Sequence, residues 1–299
     1  MFYLSIFEGT AVALVTPMKE DGAVDYKRLE ELVEWQINEG TDAIVACGTT
    51  GEASTLANHE HISVIEAVVK KTSGRVPVIA GTGVNDTNHA IELSTGAESV
   101  GADALLIVTP YYNKASDTGL FLHYEKIAQS VNLPIILYSV QSRTNMNLTP
   151  ALVEKLITIP NIVGIKEASG NISQIADICR LASDDFTVYS GNDDQVLPLM
   201  ALGGKGIIST IANIAPRQTH ELAQAVLDGN YDLARKMQLD QLPLIHALFC
   251  EVNPIPVKTA VGLLGKIDPY FRLPLNDAQP ETVERLKKEM TAYGLEVQA

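Results

Sequence analysis

Several familiar chemistries are excluded by what this chain of 299 residues has little of. It has three cysteines, Cys47, Cys179 and Cys250, far apart in sequence. An odd, sparse set reads as free thiols in a reducing compartment, so the expected location is cytoplasmic. Positive charge is scarce: 22 Lys and Arg stand against 36 Asp and Glu, a formal net charge of −14. That argues against nucleic acid or a membrane surface as partner, since both select basic patches. It leaves small anionic substrates open, because a few local cations can dominate a cleft. No apolar run reaches the ~18 residues of a membrane span. Met1 to Phe7 is apolar but short and lacks a basic n-region, so no signal peptide is expected. No Gly-x-Ser-x-Gly elbow and no metal-ligand cluster occur. His59 and His61 are two apart at a helix start and do not share a helix face, so no metal is expected.

What is present is alternation. Eight strand-like runs occur: Gly9–Thr16, Ala43–Gly48, Val76–Gly81, Ala104–Thr109, Ile135–Val140, Ile162–Ala168, Thr187–Gly191 and Gly206–Ile211. Most are continuously apolar or β-branched, the pattern of strands buried on both faces of a parallel sheet. Amphipathic segments lie between them. Asp25, Ser116 and Thr149 are N-cap candidates, with Pro150 at the first helical position of the last. Strand starts ~20–35 residues apart fit an α/β fold closed as a (β/α)8 TIM barrel over residues 1–230. A doubly wound open sheet is the rival. Its Gly-x-Gly-x-x-Gly turn is missing, since Gly81-Thr-Gly83 has no third glycine. Tyr231–Cys250, Ile255–Gly265 and Pro280–Tyr293 read as a C-terminal three-helix appendage, residues 231–299.

In such a barrel, residues at the C-terminal strand ends face the active site. Lys166 lies in the apolar run Ile162-Val-Gly-Ile-Lys-Glu-Ala-Ser169. Burial disfavours ammonium, and a neutral amine can form a Schiff base. The alternative is a strand-end lysine that snorkels to solvent. Gly48-Thr-Thr-Gly51 is either a turn of small residues or a carboxylate cradle of amides and hydroxyls. Tyr111 and Tyr112 suit an interface, and Tyr138 suits either the core or proton transfer. Arg143 is either a surface charge or a fork for a substrate carboxylate. Cys47 has no evident partner and reads as a small buried hydrophobe. An amine with hydroxyls and phenols, and no metal, is the logic of a class I aldolase.

The ordered set Gly48-Thr-Thr-Gly-Glu52, Pro110-Tyr-Tyr-Asn113, Gly164-Ile-Lys-Glu167 and Asn253-Pro-Ile-Pro-Val-Lys258 resembles the pyruvate-dependent lyases and synthases. Within that superfamily it is similar to the dihydrodipicolinate synthase family, over nearly the whole chain. The resemblance implies condensation of pyruvate with L-aspartate-4-semialdehyde, giving 4-hydroxy-tetrahydrodipicolinate for lysine and diaminopimelate biosynthesis. No cofactor is implied beyond a covalent pyruvate imine on Lys166. Tyr138 would act as acid and base beside that amine. Thr49 would link Tyr138 to Tyr112, which would arrive from a neighbouring subunit. Thr50 would hold the pyruvate carboxylate and Arg143 that of the semialdehyde, with Gly191 and Ile208 lining the pocket. A homotetramer built from tight dimers is implied. A sugar-acid lyase acting on N-acetylneuraminate is the alternative, and a non-catalytic keto-acid sensor is a third reading. In the sialic-acid branch the exit of the fifth strand carries apolar or small residues, whereas Ser142-Arg-Thr144 matches the synthase branch.

Two departures from the family pattern stand out. Ser139-Val-Gln141 replaces the usual Asn-Val-Pro; loss of that proline frees φ and restores an N–H, which would loosen Arg143. The positions of the family's lysine-feedback pocket are Ala53, Ser54, Asn58, His61, Asn85, His89 and Tyr111. Lysine-sensitive bacterial members usually carry histidine at the position of Asn58 and glutamate at that of His89. A histidine grips an ammonium poorly, so weak or absent inhibition by lysine is expected.

Overall fold

The computed structural model describes residues 5–298, so Met1 to Leu4 of the segment considered above as a leader lie outside the described residues. The eight expected strands all form, each slightly shorter than its apolar run. They are β1 (Gly9–Ala13), β2 (Ala43–Ala46), β3 (Val78–Gly81), β4 (Ala104–Val108), β5 (Ile135–Ser139), β6 (Ile162–Glu167), β7 (Thr187–Ser190) and β8 (Gly206–Ser209). All pair in parallel with their sequence neighbours, and β8 pairs with β1, which closes the barrel. The open-sheet alternative is thereby excluded.

Among the described residues, nine helices follow the strands or lie between them: α1 (Tyr26–Asn38), α2 (Asn58–Thr72), α3 (Thr87–Ser99), α4 (Asp117–Ala128), α5 (Gln141–Thr144), α6 (Pro150–Leu156), α7 (Ile172–Cys179), α8 (Val196–Ala201) and α9 (Pro216–Leu227). The three expected caps are made. Asp25 accepts from the Arg28 amide, Ser116 from that of Gly119, and Thr149 from that of Leu152. Each satisfies an N–H that has no partner within its helix. The C-terminal helices are α10 (Tyr231–Leu248), α11 (Ile255–Leu263) and α12 (Pro280–Ala292). α10 packs on α8 and α9, and α11 and α12 pack against it. Among the described residues, no helix is long and apolar enough to cross a membrane.

The core has two parts. Ala11, Ala13, Ala43, Val45, Ile79, Ala104, Leu106, Ile136, Tyr138, Tyr189 and Ile208 fill the barrel interior. A larger layer, including Val12, Ile44, Leu105, Leu137, Ile165 and Val188, meets the helices. The period of two along a strand assigns alternate residues to these layers. On β6 it sends Gly164 and Lys166 one way and Ile165 and Glu167 the other. The N-terminal end of the barrel is plugged by Phe7, whose ring stacks on Tyr189 at 4.3 Å and whose carbonyl accepts from the Tyr189 hydroxyl.

Candidate active site

Lys166 is in register with Tyr138 on β5 and with Tyr189 on β7. Its side chain is buried, 6% exposed, and its Nζ stands 4.4 Å from the centroid of the Tyr138 ring. Tyr138 is itself 8% exposed. The amine therefore does not snorkel to bulk water. It is held inside the barrel against a phenol ring.

Gly191 sets how closely the loop after β7 packs on the lysine. A Cβ at this position would fall 2.7 Å from the Cβ of Ala168 and 3.1 Å from both Cγ and Cε of Lys166. Only glycine lets the loop after β7 approach the amine so closely. Ile208 on β8 is buried in the same interior cluster as Tyr138 and Ala168.

Beyond β2, Cys47 and Glu52 take left-handed backbone, with φ of 54° and 57°, around the Gly48-Thr-Thr-Gly51 turn. Thr50 is buried, and its Oγ1 accepts a 3.0 Å hydrogen bond from Asn253 Nδ2. Arg143 sits on the one-turn helix α5, and its Nη2 donates to the Asn253 carbonyl at 3.0 Å. Loss of the proline at 141 therefore does not leave Arg143 free, contrary to the expectation from sequence. Helical backbone and a carbonyl from the C-terminal region hold it. Thr144 strengthens the turn, accepting from Thr109 Oγ1 at 2.9 Å and donating to the Val140 or Met146 carbonyl.

Lys166, Tyr138, Gly191 and Ile208 are thus brought together, as are Thr50 and Arg143 through Asn253. Tyr112 is not drawn in. It is 93% exposed, with φ of +73°. Among the described residues no hydrogen bond joins Thr49 to Tyr138 or Tyr112. Nor does any group of three or more His, Cys, Asp or Glu among them have the arrangement of a metal site.

Comparison with known proteins fits this geometry. The model of the dihydrodipicolinate synthetase family matches residues 6–293. The 4-hydroxy-tetrahydrodipicolinate synthase of Acetivibrio thermocellus is 55% identical over 290 residues, covering 97% of this chain and 98% of that one. The crystal structure of dihydrodipicolinate synthase from Aquifex aeolicus superposes with a TM-score of 0.96 at 45% identity, covering 98% of this chain and all of that one. The Acinetobacter baumannii synthase, solved in complex with pyruvate, gives 0.94 at 45% identity, over 96% of this chain and 99% of that one.

The chain belongs to the dihydrodipicolinate synthetase family.

Of the residues matched by resemblance to the feedback pocket, Asn58, His61, Asn85 and His89 lie in or just before the first turns of α2 and α3. His89 Nε2 and Asn58 Oδ1 are 2.8 Å apart, so the ring nitrogen carries the proton and donates. The Asn85 carbonyl accepts from Asn113 Nδ2 at 2.9 Å. His61 is buried against the Gly81 carbonyl at 2.8 Å, and burial lowers its pKa. Tyr111 is half-buried, which raises its phenol pKa. Ala53 is half-buried and Ser54 exposed on the short helical turn Ala53–Thr55. Cys47 is buried as expected, and its thiol pKa is pushed far up by desolvation.

Four supporting residues have no assigned role in the sequence reading. Asn253 joins Thr50 to Arg143. Lys258, in the apolar helix α11, pairs with Glu52 at 2.5 Å, and both side chains are fully buried. Asp193 accepts from Ser209 Oγ at 2.6 Å and from the Thr210 and Ile211 amides, tying the turn after β7 to the end of β8. Burial raises its carboxyl pKa. A charged residue in an apolar helix was a legible signal for Lys258. Nothing local marked Asn253.

Proposed function

We propose that this family member condenses pyruvate with L-aspartate-4-semialdehyde, through an imine on Lys166, to give 4-hydroxy-tetrahydrodipicolinate. The observation that carries the reading is a buried amine against a phenol, in a barrel whose Thr50 hydroxyl and Arg143 guanidinium are both held by Asn253. The Lys166 amine adds to the pyruvate ketone and expels water. The iminium acts as an electron sink, so C3 loses a proton and becomes an enamine carbon nucleophile. C3 attacks the aldehyde, whose oxygen takes a proton. The α-amine of the semialdehyde then attacks C2, closes the ring and releases Lys166. Tyr138 moves the protons, a role supported by the closeness of its ring to Nζ, 4.4 Å from the centroid. Thr50 holds the keto-acid carboxylate, and the planar fork of Arg143 holds that of the second substrate.

Thr49 and Tyr112 complete the proton relay in an assembly, Tyr112 being supplied by a second copy and the assembly being a dimer of dimers. An aromatic ring that is 93% exposed on strained backbone supports that placement, because both costs are offset when the ring is buried by a partner. Free cysteines support a reducing cytoplasmic setting.

The test is turnover of pyruvate with L-aspartate-4-semialdehyde, run beside N-acetylmannosamine. Turnover of the semialdehyde alone is expected; turnover of only the sugar would overturn the substrate assignment. Lysine is expected to inhibit weakly or not at all, because His89 directs its N–H to Asn58 and offers no carboxylate to an ammonium. Half-inhibition by submillimolar lysine in the same assay would contradict that.

A further inference from the structure

We infer that Asn253 is a positioning residue that fixes the Thr50 hydroxyl as a donor to the keto-acid carboxylate. The inference rests on the proposed role of Thr50 and goes beyond it.

Asn253 is 6% exposed and makes two different contacts with the site. Its side chain donates from Nδ2 to Thr50 Oγ1 at 3.0 Å, while its backbone carbonyl accepts from Arg143 Nη2, also at 3.0 Å. A hydroxyl has one proton and two lone pairs. With a lone pair engaged by the amide, the Thr50 proton is left to point elsewhere, and a bound carboxylate is its natural acceptor. The partial positive charge on the amide hydrogens adds to the attraction. The amide oxygen of Asn253 is buried without a hydrogen-bond partner.

The segment is also anchored independently. Lys258, one helical turn further on, pairs with Glu52 just past the threonine turn. The C-terminal helices thus grip this turn at two points. Removing the Asn253 amide leaves the second grip, and the carbonyl that holds Arg143, in place. The side chain therefore acts on one substrate and the backbone on the other, and a variant can separate them.

The experiment measures the pyruvate concentration that half-saturates borohydride trapping at Lys166, with no second substrate present. Asn253→Asp keeps the side-chain shape but can only accept from Thr50, and it places a negative charge beside the incoming carboxylate. Half-saturation is expected to rise on the order of thirtyfold or more at neutral pH. Relative to wild type, the defect should shrink on acidification as the new carboxyl is neutralised. Asn253→Ala, which only deletes the bond, should raise half-saturation by about three- to tenfold. In both variants the KM for the semialdehyde should stay near the wild-type value. Unchanged half-saturation in both variants would overturn the inference, as would equal increases for both substrates, which a general loosening produces. Wild-type protein that traps no pyruvate would instead sink the proposed function itself.

Discussion

The setting of Lys166 is made by the strand period. Alternation on β6 turns Gly164 and Lys166 into the barrel and Glu167 out toward the helices. The amine meets a phenol face at 4.4 Å, and Gly191, having no Cβ, lets the loop after β7 lie directly against the lysine side chain. Lys166→Ala should therefore abolish the mass gain seen after borohydride treatment with pyruvate. Turnover should fall by at least about a thousandfold, since the covalent route is closed. A residual adduct in that variant would mean that another amine is the nucleophile. Glu167 permits a separate test. Burial is the first cause of its raised pKa, partly countered by the Ser169 amide and by Gln174. An acid raised on folding binds more protons folded than unfolded between its two pKa values. Its contribution to stability is present below the ordinary value of 4.5 and is lost as pH rises through the raised value. Glu167→Gln removes that titration. Thermal midpoints of wild type and Glu167→Gln should thus diverge in favour of the variant as pH rises from 4.5, with a constant difference counting against the assignment.

At the scale of elements, the threonine turn after β2 and the start of α11 form one unit, although about two hundred residues separate them. Thr50 and Asn253 are 203 positions apart, and Glu52 and Lys258 are 206. That distance is why the strands were legible in the sequence and this brace was not. A buried parallel strand advertises itself by a continuous apolar run, and all eight runs became strands. An Asn that reaches across the fold has no local signature, and the motif Asn253–Lys258 was visible only as part of a resemblance. The one-turn helix Gln141–Thr144 was missed for a similar reason: four residues are too few for a period, and Arg143 is fixed by a distant carbonyl. The buried pair Glu52–Lys258 has a predictable energetics. Burial lowers the Lys258 pKa while Glu52 opposes this, and the second Glu52 oxygen has no partner. Lys258→Met should cost about 3–5 kcal/mol in denaturant unfolding, because it leaves a buried carboxylate unpaired. The double variant Glu52→Gln with Lys258→Met should recover most of that loss. If the single variant costs no more than the double, the charge pairing is not what holds the turn.

The whole molecule explains what a single chain leaves unfinished. The barrel positions Lys166, Tyr138, Thr50 and Arg143 within one chain, yet Tyr112 stands 93% exposed with φ of +73°. If a second copy covers that ring, a two-fold dimer would return the contact symmetrically. Mixing two defective proteins tests this directly. Lys166→Ala retains Tyr112 but has no nucleophile; Tyr112→Phe retains the nucleophile but has no relay hydroxyl. If Tyr112 serves the neighbouring site, a mixed dimer contains one site with both groups intact and one with neither. After dissociation and random reassociation of equal amounts, half the dimers are mixed and half of their sites are whole, so about a quarter of wild-type activity should return. If Tyr112 serves its own site, every site in the mixture lacks one group. Activity then stays at the average of the two parents, and the shared site is excluded however the copies assemble.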